Sequence, residues 1–298
     1  MICPASNPRM VAKAAASEAD LAILDLEDAV APAAKVAARA AIVAAFRDLD
    51  WGGKPRAYRI NALDTPWCYR DLIEIVEPAA ELVDRIIVPK VENAGDIAFV
   101  DRLLTQLERA AGRATPIAIE AQIESPTGLS AAREIAAASA RVAALVFGPG
   151  DYAAAAGMPL TAIGTPDAWD AAYAGHRWGY AMHELLIAAR SAGARAIDGP
   201  YADFRDLDGF RRTCGAARAL GYDGKWCIHP SQIPVANSVF RPTADELAAA
   251  RAVLVAYEAS LAAGCGALAL DGMMVDAASL RMARATLARA GDDGSEST

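Results

Sequence analysis

The sequence lacks the features that mark membrane, nucleic-acid-binding and disulfide-stabilised proteins. It has no charge-free apolar stretch of about 18 residues, so a membrane-spanning helix is not expected. It has no basic run, and its formal net charge of −8 argues against nucleic acid as a partner. Its five cysteines form no C-x-x-C pair, which indicates free thiols. The N-terminal segment lacks the pattern of a signal peptide, so we expect a cytoplasmic protein.

Short apolar runs rich in Ile, Val and Leu recur along the chain. We interpret eight of them as strands: residues 2–4, 21–26, 56–60, 85–88, 116–123, 143–147, 194–197 and 225–228. Stretches with helical spacing lie between them, and this alternation implies parallel strands joined by helical crossovers. Eight units over about 230 residues match an α/β fold of the (β/α)8 TIM barrel type at least as well as an open doubly wound sheet.

The pattern changes after residue 228. Residues 243–263 are predicted to form one long helix, opened by a capping box of Thr243 and Glu246. A glycine-rich turn and a final helix over residues 277–290 follow. We therefore divide the chain into a barrel catalytic domain, residues 1–235, and a C-terminal appendage, residues 236–298.

Polar side chains follow the predicted strands, where a barrel builds its active site. They are Ser6, Asn7, Arg9, Asp25, Glu27, Asp28, Arg59, Asn61, Lys90, Glu124, Asp151, Asp198, Tyr201, Asp203 and His229. Glu124 and Asp151 end neighbouring strands, and two carboxylates plus waters suit Mg²⁺. We call this set of polar residues at the strand ends the rim. Arg59 has two interpretations of equal weight: a clamp for a substrate carboxylate, or an ion pair with the acidic residues of the rim.

Two further motifs lie after strands. Residues 6–9, with Pro8 at the first helical position, are typical of a helix N-terminus, where Arg9 and the amides predict a phosphate site. Residues 148–153 match the dinucleotide pattern G-x-G-x-x-A. Asp151 would place a negative charge among the phosphate-binding amides, and Pro149 removes one of them, so we disfavour that interpretation.

Longer motifs run through the chain in a fixed order. They are residues 4–10 (PASNPRM), 24–30 (LDLEDAV), 64–71 (DTPWCYRD), 88–91 (VPKV), 123–125 (IES), 147–151 (FGPGD), 197–200 (IDGP) and 224–233 (GKWCIHPSQI). In these motifs the sequence resembles the citrate lyase β-subunit-like family of CoA-ester lyases, and within it the malyl-CoA lyases. The resemblance implies a (β/α)8 barrel whose C-terminal segment is a lid, a homotrimer or hexamer, and Mg²⁺-dependent cleavage of a CoA thioester, with Mn²⁺ as a substitute.

The resemblance also implies roles for individual residues. By motif position, Glu124 and Asp151 would be the metal ligands, with Glu27 and Asp28 acting through waters. Arg59 would hold the carboxylate of a 2-oxo acid.

The same resemblance implies where the CoA ester would lie. Asn7, Arg9 and Lys35 would lie near the CoA phosphates, and the loop with His229 and Pro230 near the adenine end. A Met-Val-Asp triplet at residues 274–276 matches the lid motif that supplies a catalytic Asp, here Asp276, to a neighbouring subunit. The sequence departs from relatives at Met273, which stands where they carry a basic residue.

These roles lead to an expected reaction: reversible cleavage of malyl-CoA to acetyl-CoA and glyoxylate, or of β-methylmalyl-CoA to propionyl-CoA and glyoxylate. Citramalyl-CoA cleavage and malyl-CoA hydrolysis stay open as alternatives. So do aldol chemistry on free hydroxy acids and a citrate lyase β-type subunit that works on an acyl-carrier thioester.

Overall fold

The computed structural model describes residues 1–173 and 175–291. Contacts within the chain divide it into two compact units, Met1–Asn237 and Ser238–Thr298. No helix in the described part of the chain is long and apolar enough to cross a lipid bilayer.

The first unit is built on one parallel sheet. Its strands, hydrogen-bonded in chain order, are β1 (Ile2–Pro4), β2 (Ala22–Asp25), β3 (Arg56–Arg59), β4 (Arg85–Val88), β5 (Ala118–Ile123), β6 (Val142–Phe147), β7 (Arg195–Asp198) and β8 (Gly224–Lys225). The predicted last strand is shorter than expected, but its backbone continues the pairing. The N–H of Trp226 donates to the carbonyl of Asp198 at 2.9 Å, and the N–H of Ile2 donates to the carbonyl of Cys227 at 2.9 Å. This last bond joins the two edges, and the predicted (β/α)8 barrel is confirmed.

Helices follow the strands on the outside of the sheet. They are α1 (Pro8–Ala15), α2 (Lys35–Asp48), α3 (Cys68–Ala79), α4 (Ala94–Ala111), α5 (Pro126–Ser130), α6 (Ala132–Ala137), α7 (Pro149–Ala155), α8 (Ala168–Ala172), α9 (Gly179–Ser191), α10 (Leu207–Leu220) and α11 (Gln232–Phe240). The helix predicted over residues 129–138 is divided between α5 and α6, because Ala131 leaves helical geometry with a ψ of 7°.

The barrel interior is apolar below the rim. Ile2, Ile23, Ala57, Ile87, Val146 and Trp226 form one buried cluster. They come from five different strands and from the segment after β8, so the strands enclose a shared core. Burial of such side chains stabilises each by about 1.5–3 kcal/mol relative to exposure, and it leaves only the strand ends for polar chemistry.

The second unit contains two packed helices and a hairpin. Helix α12 (Ala244–Ala262) begins with the predicted capping box, in which Thr243 and Glu246 each accept a backbone N–H of the other. Strands β9 (Leu268–Leu270) and β10 (Met273–Val275) pair antiparallel and lead into α13 (Ala277–Arg289). Asp271 and Gly272 form the two-residue turn with φ values of 50° and 77°, the geometry of a type I′ turn.

Candidate active site

The rim begins at β2, where a buried carboxylate organises a turn. Asp25 is the last residue of the strand and is fully buried. Its Oδ1 accepts the N–H of Glu27 at 3.0 Å, and its Oδ2 accepts the N–H of Ala29 at 3.2 Å. The turn that carries Glu27 and Asp28 is therefore held by a negative charge at its base.

Arg59 neutralises this charge from the neighbouring strand. The register places it directly beside Asp25, and the pair is bidentate, with Nε–Oδ1 at 2.6 Å and Nη2–Oδ2 at 2.8 Å. Its Nη1 lies 2.8 Å from Glu27 Oε2 and 3.4 Å from Gln122 Oε1. Burial alone would lower the pKa of Arg59, but the hydrogen bonds and charge of Asp25 outweigh it and raise the pKa. Of the two interpretations of Arg59, the structure shows the ion pair with the rim.

Glu124 follows β5 and is held at both oxygens. Its Oε1 accepts the backbone N–H of Lys90 at 2.8 Å, and its Oε2 accepts the side-chain amide of Gln122 at 2.6 Å. Burial, together with the nearby charges of Glu27 and Asp151, raises the pKa of Glu124 to about 8. Each oxygen keeps a further lone pair for another partner.

Lys90 joins Glu124 to the turn after β2. Its φ of 50° is unusual for a residue with a side chain and costs about 1–3 kcal/mol. This conformation directs the amide to Glu124 while Nζ lies 2.7 Å from Glu27 Oε1 and 3.2 Å from Asp28 Oδ2. Burial would lower the pKa of Lys90, but Glu27 and Asp28 outweigh it and raise the pKa. Lys90 is therefore a cation between two carboxylate-bearing loops.

Asp151 completes the group of acids. It lies exposed in the first turn of α7, directly after β6, and its charge acts on Glu124. The backbone between them passes close to Glu124, because a Cβ added at Gly148 would lie 2.5 Å from Glu124 Cβ. Gly148, the first glycine of the disfavoured dinucleotide motif, is therefore needed because a side chain there would collide with Glu124.

The donor set fits a hydrated divalent cation. In the described residues, no three His, Cys, Asp or Glu side chains converge as ligands of one metal, whereas Mg²⁺ needs only one or two carboxylates and keeps several waters. Both oxygens of Glu27 are buried and complete no hydrogen bond, although two cations lie at ion-pairing distance. Burial is the main cause of the raised pKa of Glu124, and the charges of Glu27 and Asp151 add to it, so a cation beside Glu124 would favour its ionised form.

The residues expected near CoA lie in different environments. Asn7 is exposed and caps α1, where its Oδ1 accepts the N–H of Met10 at 3.2 Å, and Arg9 is exposed on the same helix. His229 stacks on Phe204 with ring centroids 4.7 Å apart, and Pro230 beside it is exposed. These positions leave Asn7, Arg9, His229 and Pro230 accessible to a ligand.

The ammonium of Lys35, expected to lie near a CoA phosphate, binds acceptors within the protein. It is 6% exposed, and its Nζ donates to the carbonyl of Leu26 at 2.7 Å, the carbonyl of Glu27 at 2.7 Å and Asn61 Oδ1 at 2.5 Å. An ammonium has three N–H donors, so protein acceptors take all of them. The structure thus places Lys35 near the rim, as expected, with its ammonium on three protein acceptors.

Asp276 lies in the second unit as the N-cap of α13. Its Oδ1 accepts the N–H of Ala278 at 2.8 Å and of Ser279 at 3.1 Å. These backbone hydrogen bonds lower the pKa of Asp276. The carboxylate is therefore in its basic form at neutral pH.

The sequence pattern predicts no role for Gln122 and no partner for Lys90. A signal for Gln122 was present, since Glu120, Gln122 and Glu124 alternate along a strand and so share one face. For Lys90 no signal existed, because its contact with Glu124 runs through a backbone amide and a positive φ.

Comparison with known proteins places this rim in a family context. A family model described as HpcH/HpaI aldolase/citrate lyase matches residues 1–230. The chain is 43% identical over 293 residues to an L-malyl-CoA/beta-methylmalyl-CoA lyase of Cereibacter sphaeroides, covering 96% of this chain and 92% of that protein. It is 36% identical over 287 residues to a (3S)-malyl-CoA thioesterase of the same species, covering 96% and 92%.

A solved structure is similar over almost the same length. Protein CitE of Mycobacterium tuberculosis, in complex with magnesium, acetoacetate and coenzyme A, is 35% identical, with a TM-score of 0.76, covering 97% of this chain and 96% of that chain.

Proposed function

The chain belongs to the HpcH/HpaI aldolase/citrate lyase family, and from that premise we propose that it is a Mg²⁺-dependent CoA-ester lyase. The reaction is reversible cleavage of malyl-CoA to acetyl-CoA and glyoxylate, with β-methylmalyl-CoA as a second substrate. The observation that carries this proposal is the pair Glu124 and Asp151 at neighbouring strand ends, where burial, with the charges of Glu27 and Asp151, raises the pKa of Glu124 to about 8.

In the proposed site Glu124 and Asp151 hold Mg²⁺, which supplies Lewis-acid chemistry when bound. Gln122 and the Lys90 amide orient the two oxygens of Glu124 before the metal arrives. Preorganised ligands of this kind lower the cost of ordering the site. Glu27 and Asp28 would lie one step further out, where their carboxylates could accept hydrogen bonds from waters around the cation.

Arg59 is proposed to bind the carboxylate of the 2-oxo acid. Its Nη1 contacts two acceptors at 2.8 and 3.4 Å, whereas Nε and Nη2 are committed to Asp25 at 2.6 and 2.8 Å. The Nη1 edge is thus the part of the guanidinium that can exchange a protein partner for substrate. Asp25 fixes the plane of the group while that exchange takes place.

Asp276 is proposed as the acid and base at the methyl carbon of acetyl-CoA. In condensation it removes a methyl proton, and in cleavage it returns the proton to the same carbon after the carbon–carbon bond breaks. We propose that this residue comes from the lid of a neighbouring chain in a homotrimer or hexamer, so that closure excludes water from the reacting carbon.

The thioester end is proposed to lie along Asn7, Arg9 and the His229–Pro230 loop. The exposed Phe204–His229 stack, with centroids 4.7 Å apart, offers a flat surface to a purine ring. Lys35 is left out of this contact because its donors are occupied.

The experiment that tests the proposal is incubation with malyl-CoA and Mg²⁺ while glyoxylate is trapped as its hydrazone. We expect equal amounts of glyoxylate and acetyl-CoA, and no product when EDTA removes the metal. Folded protein that releases no glyoxylate from malyl-CoA or β-methylmalyl-CoA would contradict it.

A second candidate is malyl-CoA hydrolysis, favoured by the 36% identity to a (3S)-malyl-CoA thioesterase. The two activities differ in their products. Hydrolysis releases free malate and CoA without glyoxylate, so product analysis of the same incubation separates them.

A further inference from the structure

The turn that carries Glu27 and Asp28 is fastened by a lysine from the next helix. We infer that Lys35 is a positioning residue for this turn and that it does not bind CoA phosphate. The inference rests on the proposed function only where turnover is concerned, because the turn and its contacts are features of the chain itself.

The location of Lys35 is unfavourable for a cation without a specific partner. It is the first residue of α2, with no acidic residue in the first turn, and the N-terminus of a helix carries partial positive charge that repels an ammonium. The side chain also gives up its hydration, since it is 6% exposed. A buried charge persists only where hydrogen bonds compensate it.

Three convergent acceptors supply that compensation. The carbonyls of Leu26 and Glu27 are consecutive in the chain, and each lies 2.7 Å from Nζ. The third acceptor, Asn61 Oδ1, belongs to the loop after β3. Nζ also lies 5.2 Å from the centre of the Trp67 ring. One ammonium thus joins the ends of two neighbouring strands.

Asn61 is itself fixed by a buried acid. Asp71 Oδ2 accepts both the backbone N–H of Asn61 at 2.9 Å and its side-chain amide at 2.7 Å. Asp71 Oδ1 accepts Arg39 Nε at 2.7 Å, and Arg39 lies on α2 together with Lys35. The contacts form a chain from α2 through α3 back to the strand ends, so the position of Nζ is set from both sides.

Hydrogen bonds therefore hold both the N–H groups and the carbonyl groups of the turn. Asp25 binds its N–H groups at Glu27 and Ala29, while Lys35 binds its carbonyls at Leu26 and Glu27. A turn with both sets of backbone groups occupied by opposite charges has few alternative conformations. The backbone of Glu27 is therefore held in one conformation at the rim. A site that binds a cation through waters needs its carboxylates fixed in this way.

The test compares Lys35→Met with Lys13→Met, which removes an exposed lysine of α1. Hydrogen exchange of residues 26–31 is followed by mass spectrometry, coenzyme A binding by calorimetry, and cleavage of malyl-CoA by glyoxylate release. In Lys35→Met we expect exchange at least tenfold faster over residues 26–31, a CoA dissociation constant within threefold of wild type, and kcat at least tenfold lower. Lys13→Met leaves the exchange and kcat unchanged.

Asn61→Ser serves where Lys35→Met does not fold, since it removes one acceptor and keeps the ammonium. Because one of three acceptors is lost, we expect smaller changes in the same direction: exchange over residues 26–31 about threefold faster and kcat about threefold lower. Unchanged exchange over residues 26–31 in a folded variant overturns the positioning role, and a CoA dissociation constant raised tenfold or more in Lys35→Met overturns the inference that Lys35 does not bind CoA phosphate. If the wild-type protein neither binds CoA nor releases glyoxylate, the proposed function fails, and the exchange measurement alone decides the role of Lys35.

Discussion

Two of the ionic networks in the barrel unit, one around Arg141 and one at the rim, differ in how well the hydrogen bonds of their carboxylates are formed. Around Arg141, before β6, Asp101 accepts Nε at 2.5 Å and Glu108 accepts Nη1 and Nη2 at 2.7 and 2.5 Å. Glu108 Oε1 also accepts the backbone N–H of Ile117 at 2.6 Å. At the rim, by contrast, the two oxygens of Glu27 lie 2.8 and 2.7 Å from Arg59 and Lys90 but complete no well-formed hydrogen bond.

The difference separates a structural network from a site with spare capacity. Burial would lower the pKa of Arg141, but the hydrogen bonds and charges of Glu108 and Asp101 outweigh it and raise the pKa, so the carboxylates of this network already have a cation. At the rim, burial first and the charges of Glu27 and Asp151 second raise the pKa of Glu124 to about 8, so the ionised carboxylate is disfavoured unless a cation lies beside it. We propose that a divalent cation binds there and not in the Arg141 network.

Removal of a rim carboxylate should have the largest effect. Asp151→Asn keeps the size of the side chain but removes one of two metal ligands, so we expect loss of Mn²⁺ binding and of glyoxylate release by a factor above about 100. Asp101→Asn, the matched change in the Arg141 network, should leave both within twofold. Turnover retained in folded Asp151→Asn would contradict the metal assignment.

Asp276 tests whether a carboxylate that caps a helix through Oδ1 can also be catalytic. Asp276→Ser keeps an N-cap acceptor for α13, so we expect an unchanged Tm and unchanged CoA binding. Because serine is no base at neutral pH, we expect kcat to fall by a factor of about 100 or more. Wild-type turnover in this variant would move the proton transfer to another residue. Asp276→Ala is the contrasting variant, since loss of the cap costs about 1 kcal/mol of stability.

A smaller effect is expected from crowding Glu124. The Cβ of Gly148→Ala meets Glu124 Cβ and Oε2, each at 2.5 Å, so the carboxylate must shift and Mn²⁺ affinity should fall about tenfold, in line with the loss of supporting contacts around other metal ligands. Gly215→Ala in α10 is the control, because a Cβ added there meets nothing within 4 Å. It should raise stability by about 0.5–1 kcal/mol. Equal Mn²⁺ affinity in the two variants would exclude strain at Glu124.

The smallest effect on activity is expected from the closed network. Arg141→Met leaves Asp101 and Glu108 without their cation, so the free energy of unfolding should fall by about 3–5 kcal/mol. Mn²⁺ affinity and kcat per folded molecule should stay within twofold. Urea denaturation and activity assays on the same sample measure both. If folded Arg141→Met also bound Mn²⁺ much more weakly, the Arg141 network could not be called purely structural and distinct from the rim.

The sequence predicted the barrel and the acids of the rim because both follow from local pattern. The alternation of apolar runs and helices places Glu124 and Asp151 at strand ends even if the predicted strand boundaries are shifted by one or two residues. The contacts between side chains depend on more than pattern. That Lys35 turns inward to two carbonyls, and that Lys90 adopts a φ of 50°, follows from the packing of segments distant in sequence.

The hairpin of the second unit shows a signal that was available but unused. Asp271-Gly272 between two apolar runs is typical of a type I′ turn, and β9 and β10 flank it. The expectation attached to this dipeptide concerned the residue after it, Met273, which is exposed in β10.

We propose that the rim, and not the Arg141 network, takes up a divalent cation for CoA-ester cleavage. The test is titration of wild type, Glu124→Gln and Glu108→Gln with Mn²⁺, followed by electron paramagnetic resonance. We expect one Mn²⁺ site per chain in wild type and in Glu108→Gln, and loss of both this site and glyoxylate release in Glu124→Gln. Wild-type Mn²⁺ affinity in folded Glu124→Gln would contradict it.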